Sequence, residues 1–350
     1  MRNHSMKRFV LLCLLALLPV LLVVGFYILK DPFHVIKPYQ GRIYNPGDTI
    51  SLTINWGHVT VESYKFFDRQ EHFDAFIFGS SLSGYYRIKD WRQHLPESAR
   101  PFHFNATRET LQGISNKLHW LSSRGVKINH ALLIIEDDML QRRPIDNDVL
   151  YVQHPQTAKN VSWWKFHQLF FNTYRHPDII AYLIDPAPMT RRVLEKGYAT
   201  TDITTRIEPI NEGYYQWADS VIAVNPDAYY TPEHLAKYRH NMKNMPCPRK
   251  ITSEVEALLL DIADQLAAQG TDYHIIIPPH YATEAIDSQD LYLMESIFTP
   301  QRVHDYSHDA TMGSDLHYYY DDGHLIAQEC ARLMDSAYHA VTLPSPYLKH

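Results

Sequence analysis

The chain has 350 residues, and 45% of them are hydrophobic, which is enough to fill the core of one large α/β domain or two small ones. Its formal net charge is −6, and the charged residues are interspersed, without a basic stripe or a block of like charge. These features argue against nucleic acid as a partner.

The first element in chain order is a 21-residue run without charge, Phe9 to Leu29, preceded by Arg2, Lys7 and Arg8. As a helix it covers the ~30 Å hydrocarbon core of a bilayer. The run is longer than the apolar region of a cleaved signal, and no cleavage site follows it. We therefore expect residues 1–30 to form a signal anchor in the cell membrane, with the bulk of the chain extracytoplasmic, periplasmic or at the cell surface. The alternative is a buried core helix.

The rest of the chain alternates short apolar runs with amphipathic stretches, after an irregular stalk and cover segment at 31–69. Continuously apolar strands separated by helices are typical of a parallel sheet buried on both faces. We predict a three-layer α/β/α sandwich over 70–340, with a mainly parallel five-stranded sheet. The predicted strands are Asp74–Phe78, Pro101–Asn105, Ala131–Ile135, Tyr273–Ile277 and Arg302–Tyr306, and the predicted helices are 109–124, 253–269, 291–298 and 323–338.

Residues from about 140 to 250 interrupt this alternation with paired aromatic residues, many prolines and weak helical periodicity. They are expected to form a mostly helical insertion, the alternative being a separate domain. Residues 341–350 are expected as a tail. Cys13, Cys247 and Cys330 lack the spacing of a redox or metal motif and are expected as free thiols, although Cys247 and Cys330 could pair in an oxidising compartment.

Polar groups follow the predicted strands where each one ends. In sheets of this kind ligands bind beyond the carboxyl ends of the strands, so these groups are expected on one rim. A serine becomes a nucleophile when an adjacent base takes its proton and a third group orients that base. The rim groups are Gly79-Ser80-Ser81, Asn105, Glu136-Asp137-Asp138 and His280, and Asp321 and His324 precede the last helix.

The order of these parts resembles the SGNH (GDSL-like) hydrolase superfamily. The resemblance rests on Gly79-Ser80-Ser81-Leu82 after the first strand and on Asp321 and His324 near the C-terminus, and it covers roughly 70–140 and 250–340. The membrane anchor and the Tyr-Tyr-Asp-Asp-Gly-His-Leu ending are most similar to the anchored branches of alginate O-acetylation and teichoic-acid D-alanylation. The resemblance implies that Ser81 is the nucleophile, His324 the base and Asp321 the acid that orients it.

Two departures from the family pattern concern the oxyanion hole. The second block, beginning at Asn105, lacks the usual glycine, and the third, Glu136-Asp137-Asp138, lacks the usual asparagine. Gly79, the Asn105 amide and His280 are the candidate oxyanion or substrate residues, although Asn105 could instead cap a helix and His280 could be an ordinary loop histidine.

Two further groups of residues have alternative explanations. Asp315, His317, Asp321 and Asp322 could be imagined as a metal cluster, but the family resemblance explains the last acids without a metal. The Arg142-Arg143 pair could bind an anionic polymer or simply be solvated. Neither cofactor nor metal is expected.

The expected function is a serine esterase or O-acyltransferase that moves acyl groups, acetyl in the first instance, to or from a cell-envelope polysaccharide through an acyl-serine intermediate. The expected partners are this glycan or an acyl donor, the membrane, and a multi-pass membrane acyltransferase. The alternatives are a non-catalytic protein of the same fold that binds or assembles polysaccharide, and a lipase or thioesterase.

Overall fold

The computed structural model describes residues 2–44, 47–201, 205–214, 216–240, 248–283 and 285–339. Cys247 and the predicted tail at 341–350 lie outside the described residues. The α-helices of the described residues are α1 (Arg2–Lys30), α2 (Trp56–Glu71), α3 (Ile88–Trp91), α4 (Leu111–Ser123), α5 (Trp163–Tyr174), α6 (Pro177–Ile184), α7 (Pro186–Glu195), α8 (Gln216–Val224), α9 (Pro226–Tyr229), α10 (Pro232–Tyr238), α11 (Ser253–Gln269), α12 (Ser288–Phe298), α13 (Ala310–Ser314) and α14 (Ala327–His339). The strands are β1 (Ser51–Leu52), β2 (Ala75–Phe78), β3 (Pro101–His103), β4 (His130–Ile134), β5 (Ala199–Thr200), β6 (Thr205–Ile207), β7 (Glu212–Tyr214), β8 (Asp272–Ile277) and β9 (Val303–Asp305).

The centre of the fold is a five-stranded sheet in the order β3-β2-β4-β8-β9, and every neighbouring pair is parallel. This confirms the predicted α/β class and the five-stranded parallel sheet. All four residues of β2 are buried, as are the last four of β4 and of β8. Strands buried on both faces need apolar side chains at every position, which is why these segments read as unbroken apolar runs.

Alternate residues of the sheet point into two separate apolar clusters. On one side, Phe76 and Phe78 pack in a cluster that includes residues of α2, α4, α11 and α12. On the other, Ala75 and Ile77 pack in a cluster that includes residues of α3 and α14. Each cluster therefore combines side chains of the sheet with side chains of helices.

The segment between the third and fourth sheet strands contains α5 to α10 and also three short strands. Strand β5 pairs antiparallel with β1, and β6 pairs antiparallel with β7 as a hairpin. Strands β5, β6 and β7 were not predicted, because strands of two or three residues are too short to produce a recognisable alternation.

Helix α1 includes the one segment of the described residues that is long and apolar enough to cross a membrane, Met6–Lys30. Its C-terminal turns pack against the insertion: the Tyr174 hydroxyl donates to the Val23 carbonyl at 3.2 Å, and the Tyr27 ring lies edge-on to Phe171 with centroids 5.3 Å apart. Just beyond the helix, the buried Asp31 carboxylate accepts from the backbone N–H groups of residues 35–37. The end of α1 is therefore part of a packed core.

The last helix, α14, begins at Ala327, whereas the sequence pattern predicted its start near Gly323. The backbone of the preceding loop is held in another way: the Tyr320 N–H donates to the His324 carbonyl at 2.7 Å, and Tyr319 and Leu325 form an isolated antiparallel bridge. Because these bonds form a tight reverse turn, His324 projects from a loop ahead of the helix.

Candidate functional site

Ser81 begins a 3₁₀ turn, Ser81–Tyr85, directly after β2. The Ser80 hydroxyl caps this turn by accepting from the Leu82 N–H at 3.2 Å, and the Ser80 carbonyl accepts from Ser83 N–H at 3.1 Å. The Ser81 N–H lies ahead of these bonds, at the N-terminal end of the turn. Ser80 is buried while Ser81 is exposed, so the turn presents the second serine to solvent.

Gly79 is required at this turn by close packing. A Cβ at this position would lie 2.7 Å from Ser83 Cβ and 3.1 Å from both Cβ and the carbonyl oxygen of Ile134. A Cβ atom essentially never lies as close as 2.7 Å to another side-chain atom, so a larger residue at position 79 would have to displace Ser83, and glycine fits the turn beneath Ser81 without this shift. Its role is to shape the turn, and its carbonyl accepts from the Ala106 N–H at 3.2 Å.

The structure brings the three residues of the predicted triad together. His324 Nε2 lies 3.2 Å from Ser81 Oγ, and His324 Nδ1 lies 2.8 Å from Asp321 Oδ2. The Tyr85 ring meets the imidazole edge-on, with centroids 5.5 Å apart. One imidazole nitrogen therefore faces the serine while the other is occupied by a carboxylate, which is the arrangement that a nucleophilic serine needs.

Asp321 is held as a carboxylate by its own loop. Burial alone would raise the pKa of this group, but hydrogen bonds from the His324 side chain and from the backbone N–H groups of His324 and Gly323 lower it to about 2. The two N–H groups donate to Asp321 Oδ1 at 2.7 and 2.8 Å. The negative charge next to the imidazole is thus maintained across the neutral pH range, and it stabilises the imidazolium that forms when His324 takes a proton.

Ser81 and His324 open into a cavity of about 300 Å³. This is at the lower end of the roughly 300–1,000 Å³ typical of small-molecule sites. Trp56, Arg206 and Asn105 also line it. The cavity therefore offers apolar surface, one cation and one amide next to the serine.

Asn105 lies next to the serine turn. It lies beyond β3, is buried and lines the cavity with Ser81. Its amide nitrogen faces the serine turn, 3.8 Å from the position of a Cβ on Gly84. Thr110, and not Asn105, caps α4, with its hydroxyl accepting from the Gly113 N–H at 3.0 Å.

The acidic third block supports the serine turn instead of facing the cavity. The buried Glu136 carboxylate accepts from the Ser80 hydroxyl and from Arg142, the latter at 2.8 Å. Asp138 also pairs with Arg142, at 2.7 Å, and Asp137 pairs with Lys250. Arg142 is consequently occupied by protein carboxylates and is not a solvated cation.

His280 lies outside the residues that line this cavity. Burial lowers the pKa of its imidazole, and Nε2 is buried without a hydrogen-bond partner among the described residues. His317 pairs with Asp315 at 2.6 Å, and across the described ranges no group of three or more His, Cys, Asp and Glu side chains is placed to hold a metal ion. Cys13 is exposed on α1, and Cys330 is buried as a free thiol.

Sequence reasoning missed several residues that build the site from a distance. Asp219, in the insertion, accepts from both the Tyr320 hydroxyl and Arg87. The Tyr229 hydroxyl donates to the Tyr320 carbonyl at 2.8 Å. Together they support the loop that carries Asp321 and His324. Neither Asp219 nor Tyr229 belongs to a motif that sets it apart from the many polar and aromatic residues of this segment.

Neither the family models nor the curated proteins to which the chain was compared include a match.

Proposed function

We propose that this chain is a membrane-anchored, extracytoplasmic serine esterase or O-acyltransferase of the SGNH type, which acts on acetyl groups of a cell-envelope polysaccharide. The observation that supports the proposal is a series of two contacts. Ser81 Oγ lies 3.2 Å from His324 Nε2, and His324 Nδ1 lies 2.8 Å from Asp321 Oδ2. The two apolar clusters on opposite sides of the sheet support the three-layer arrangement of that superfamily.

The chemistry follows from the donors around Ser81. His324 Nε2 removes the hydroxyl proton as Oγ attacks the acyl carbonyl, and Asp321 stabilises the resulting imidazolium. The Ser81 N–H and the Asn105 amide are the donors for the tetrahedral oxyanion. Collapse breaks the ester bond, the leaving oxygen takes the proton from His324, and Ser81 carries the acyl group. Water or a sugar hydroxyl, deprotonated by His324, then attacks the acyl-serine and restores the free enzyme.

The size of the cavity favours a short acyl group over a long one. A volume of about 300 Å³ must hold both the acyl group and the part of the alcohol next to it. The polar Arg206 and Asn105 in its wall also disfavour a fatty acyl chain. These features favour acetyl transfer or hydrolysis over a lipase or thioesterase activity.

The test is covalent labelling of the full chain in neutral detergent micelles with a fluorophosphonate probe. We expect one probe per chain on wild type, none on Ser81→Ala, and full labelling of Ser98→Ala, a control at an exposed serine. Hydrolysis of 4-nitrophenyl acetate should follow the same pattern. Equal labelling of wild type and Ser81→Ala would refute the proposal.

A second candidate is a non-catalytic protein that binds or assembles polysaccharide. The third block favours this candidate. It lacks the asparagine that would supply an amide to the oxyanion, and its Glu136 instead accepts from Ser80 and Arg142. It predicts glycan binding that survives His324→Ala, together with no probe labelling and no ester turnover in wild type. The labelling experiment therefore separates the two functions.

A further inference from the structure

A second cavity lies where α1 ends, apart from the one that contains Ser81. Its volume is about 330 Å³, and residues from the end of α1, from the segment that follows it and from α2 line it. Three of the lining residues, Lys30, Lys37 and Arg42, are cations that are exposed to solvent. The chemistry proposed at Ser81 makes no use of them.

The position of Lys37 sets the height of this cavity relative to a bilayer. Its ammonium group donates to the Leu29 carbonyl at 2.5 Å, and Leu29 is the last residue of the apolar run that begins at Phe9. If that run spans the ~30 Å hydrocarbon core, the charge of Lys37 lies at the boundary of the core, where the layer of lipid headgroups begins. Lys30, the last residue of α1, lies at the same level.

The two carboxylates in the wall of the cavity already have donors from the protein. Asp31 accepts from the backbone N–H groups of residues 35–37, at 2.8 to 3.2 Å. Glu62 Oε1 accepts from Lys65 Nζ at 2.7 Å and lies 2.9 Å from His154 Nε2. Burial alone would raise the pKa of Glu62, but these hydrogen bonds lower it to about 2. Both acids therefore have less need of the three cations.

The cations keep donors for a ligand. No carboxylate of the described residues forms an ion pair with Lys30, Lys37 or Arg42, and Lys30 Nζ lies 5.6 Å from the centre of the Phe26 ring. The Leu29 carbonyl uses one of the three protons on Lys37 Nζ. Like charges in one wall repel each other, and an anion bound between them replaces this repulsion with attraction.

We propose that this cavity binds the phosphate of an anionic phospholipid from the leaflet in which α1 ends. The phosphodiester oxygens accept charge-assisted hydrogen bonds from the Lys37 and Arg42 side chains. The wall contains three cations against two carboxylates, which favours phosphatidylglycerol over a choline lipid that has a positive charge of its own. The acyl chains then lie along α1, where Ile28 and Leu29 are exposed.

This inference rests on the membrane anchor of the proposed function, but not on catalysis. The full chain is delipidated in neutral detergent and mixed with equal amounts of dioleoylphosphatidylglycerol and dioleoylphosphatidylcholine, and native mass spectrometry counts the lipids retained. We expect the first lipid to be phosphatidylglycerol, bound about tenfold or more tightly than phosphatidylcholine. Equimolar inorganic phosphate or glycerophosphoglycerol should not displace it, because neither has acyl chains to bury along α1.

Substitution assigns this preference to the cavity. Lys37→Gln combined with Arg42→Gln should weaken binding of the first phosphatidylglycerol about fivefold per lost cation, or about 25-fold in all, and leave phosphatidylcholine binding unchanged. Arg42→Gln alone should cost about fivefold. The matched control, Lys7→Gln with Arg8→Gln, removes the same charge at the other end of the same helix and should behave as the parent. Thermal unfolding checks that each variant is folded.

Four results would overturn the inference: equal affinity of the parent for the two lipids, displacement of the lipid by inorganic phosphate, a preference that survives in the folded Lys37 and Arg42 double variant, or an equal loss in the control. The first two need no substitution, so the proposal stays falsifiable even if the variants fail to fold. A chain that only detergent releases from membranes, but that shows no lipid preference, would refute this inference and leave the anchor intact. Release by salt alone would refute the anchor and this inference with it, whereas fluorophosphonate labelling tests the proposed catalysis separately.

Discussion

Replacing Asp321 with asparagine tests the role that we propose for it, the orientation of the His324 imidazole. In the structure Asp321 Oδ1 accepts from two backbone N–H groups, and Oδ2 lies 2.8 Å from His324 Nδ1. An asparagine can keep its oxygen on the two N–H groups, so the loop is expected to fold normally. Its NH₂ group then faces Nδ1, which must become an acceptor.

The consequence is the wrong tautomer at the serine. With Nδ1 as an acceptor, the neutral ring carries its proton on Nε2, and Nε2 can no longer take the proton of Ser81 Oγ at 3.2 Å. Loss of the correct tautomer and of the neighbouring charge lowers turnover about 10⁴-fold, which corresponds to about 5.5 kcal/mol in the activation free energy.

The assay is the steady-state hydrolysis of 4-nitrophenyl acetate by the full chain in detergent, with thermal unfolding as the check on folding. Asp322→Asn is the matched control, because this adjacent carboxylate is exposed and lies 2.9 Å from His240, away from the imidazole of His324. It should retain wild-type turnover. An Asp321→Asn variant whose turnover stays within tenfold of wild type would refute the role given to Asp321.

The other predictions concern the oxyanion, the serine turn, acid stability and topology. Asn105→Ala should lower the turnover of the same ester by about 10²–10³ with little change in KM, and an unchanged turnover would remove Asn105 from the oxyanion hole. Gly79→Ala should lower the free energy of unfolding by about 1–3 kcal/mol or more, because the new Cβ would lie 2.7 Å from Ser83 Cβ; chemical denaturation measures this, and wild-type stability would contradict it. Burial lowers the pKa values of the stacked His274 and His304 imidazoles to about 4. Below pH 6.5 the unfolded chain therefore binds more protons at these two residues than the folded chain does. The stability from each ring should be fully present above pH 6.5 and fall by roughly 3 kcal/mol as the pH drops to about 4, and a flat unfolding profile over that range would be inconsistent with neutral buried rings. Alkaline phosphatase fused after the last residue should be active in an intact bacterium only if the C-terminal domain is exported, and an inactive fusion would reverse the proposed orientation.

The sequence predicted the elements whose signal is local. The strand that ends at Phe78 is an unbroken apolar run, and α11 repeats its apolar residues at helical spacing, so both were identified nearly residue for residue. The choice of Ser81 over Ser80 came from the family resemblance, and the structure gives a physical basis for it, since Ser80 is buried against Glu136.

What could not be predicted depends on contacts between distant parts of the chain. Arg206 lies in a short hairpin with no recognisable pattern, and its place in the cavity depends on stacking against Trp56, 150 positions earlier. In the same way, Glu136 stood out as a departure from a family motif, but its contact with the serine turn depends on the sheet bringing the ends of β2 and β4 together.

The packed junction between α1 and the insertion bears on where the serine site would lie relative to a membrane. Tyr174 contacts α1 at Val23, which lies inside the apolar run, and the chain that leaves the helix is held by Asp31. If α1 crosses a bilayer, the domain has no free tether and sits directly on the lipid surface. The nucleophile would then stand at one constant height above the membrane, and only the stretch of polymer that passes through that narrow layer could be modified.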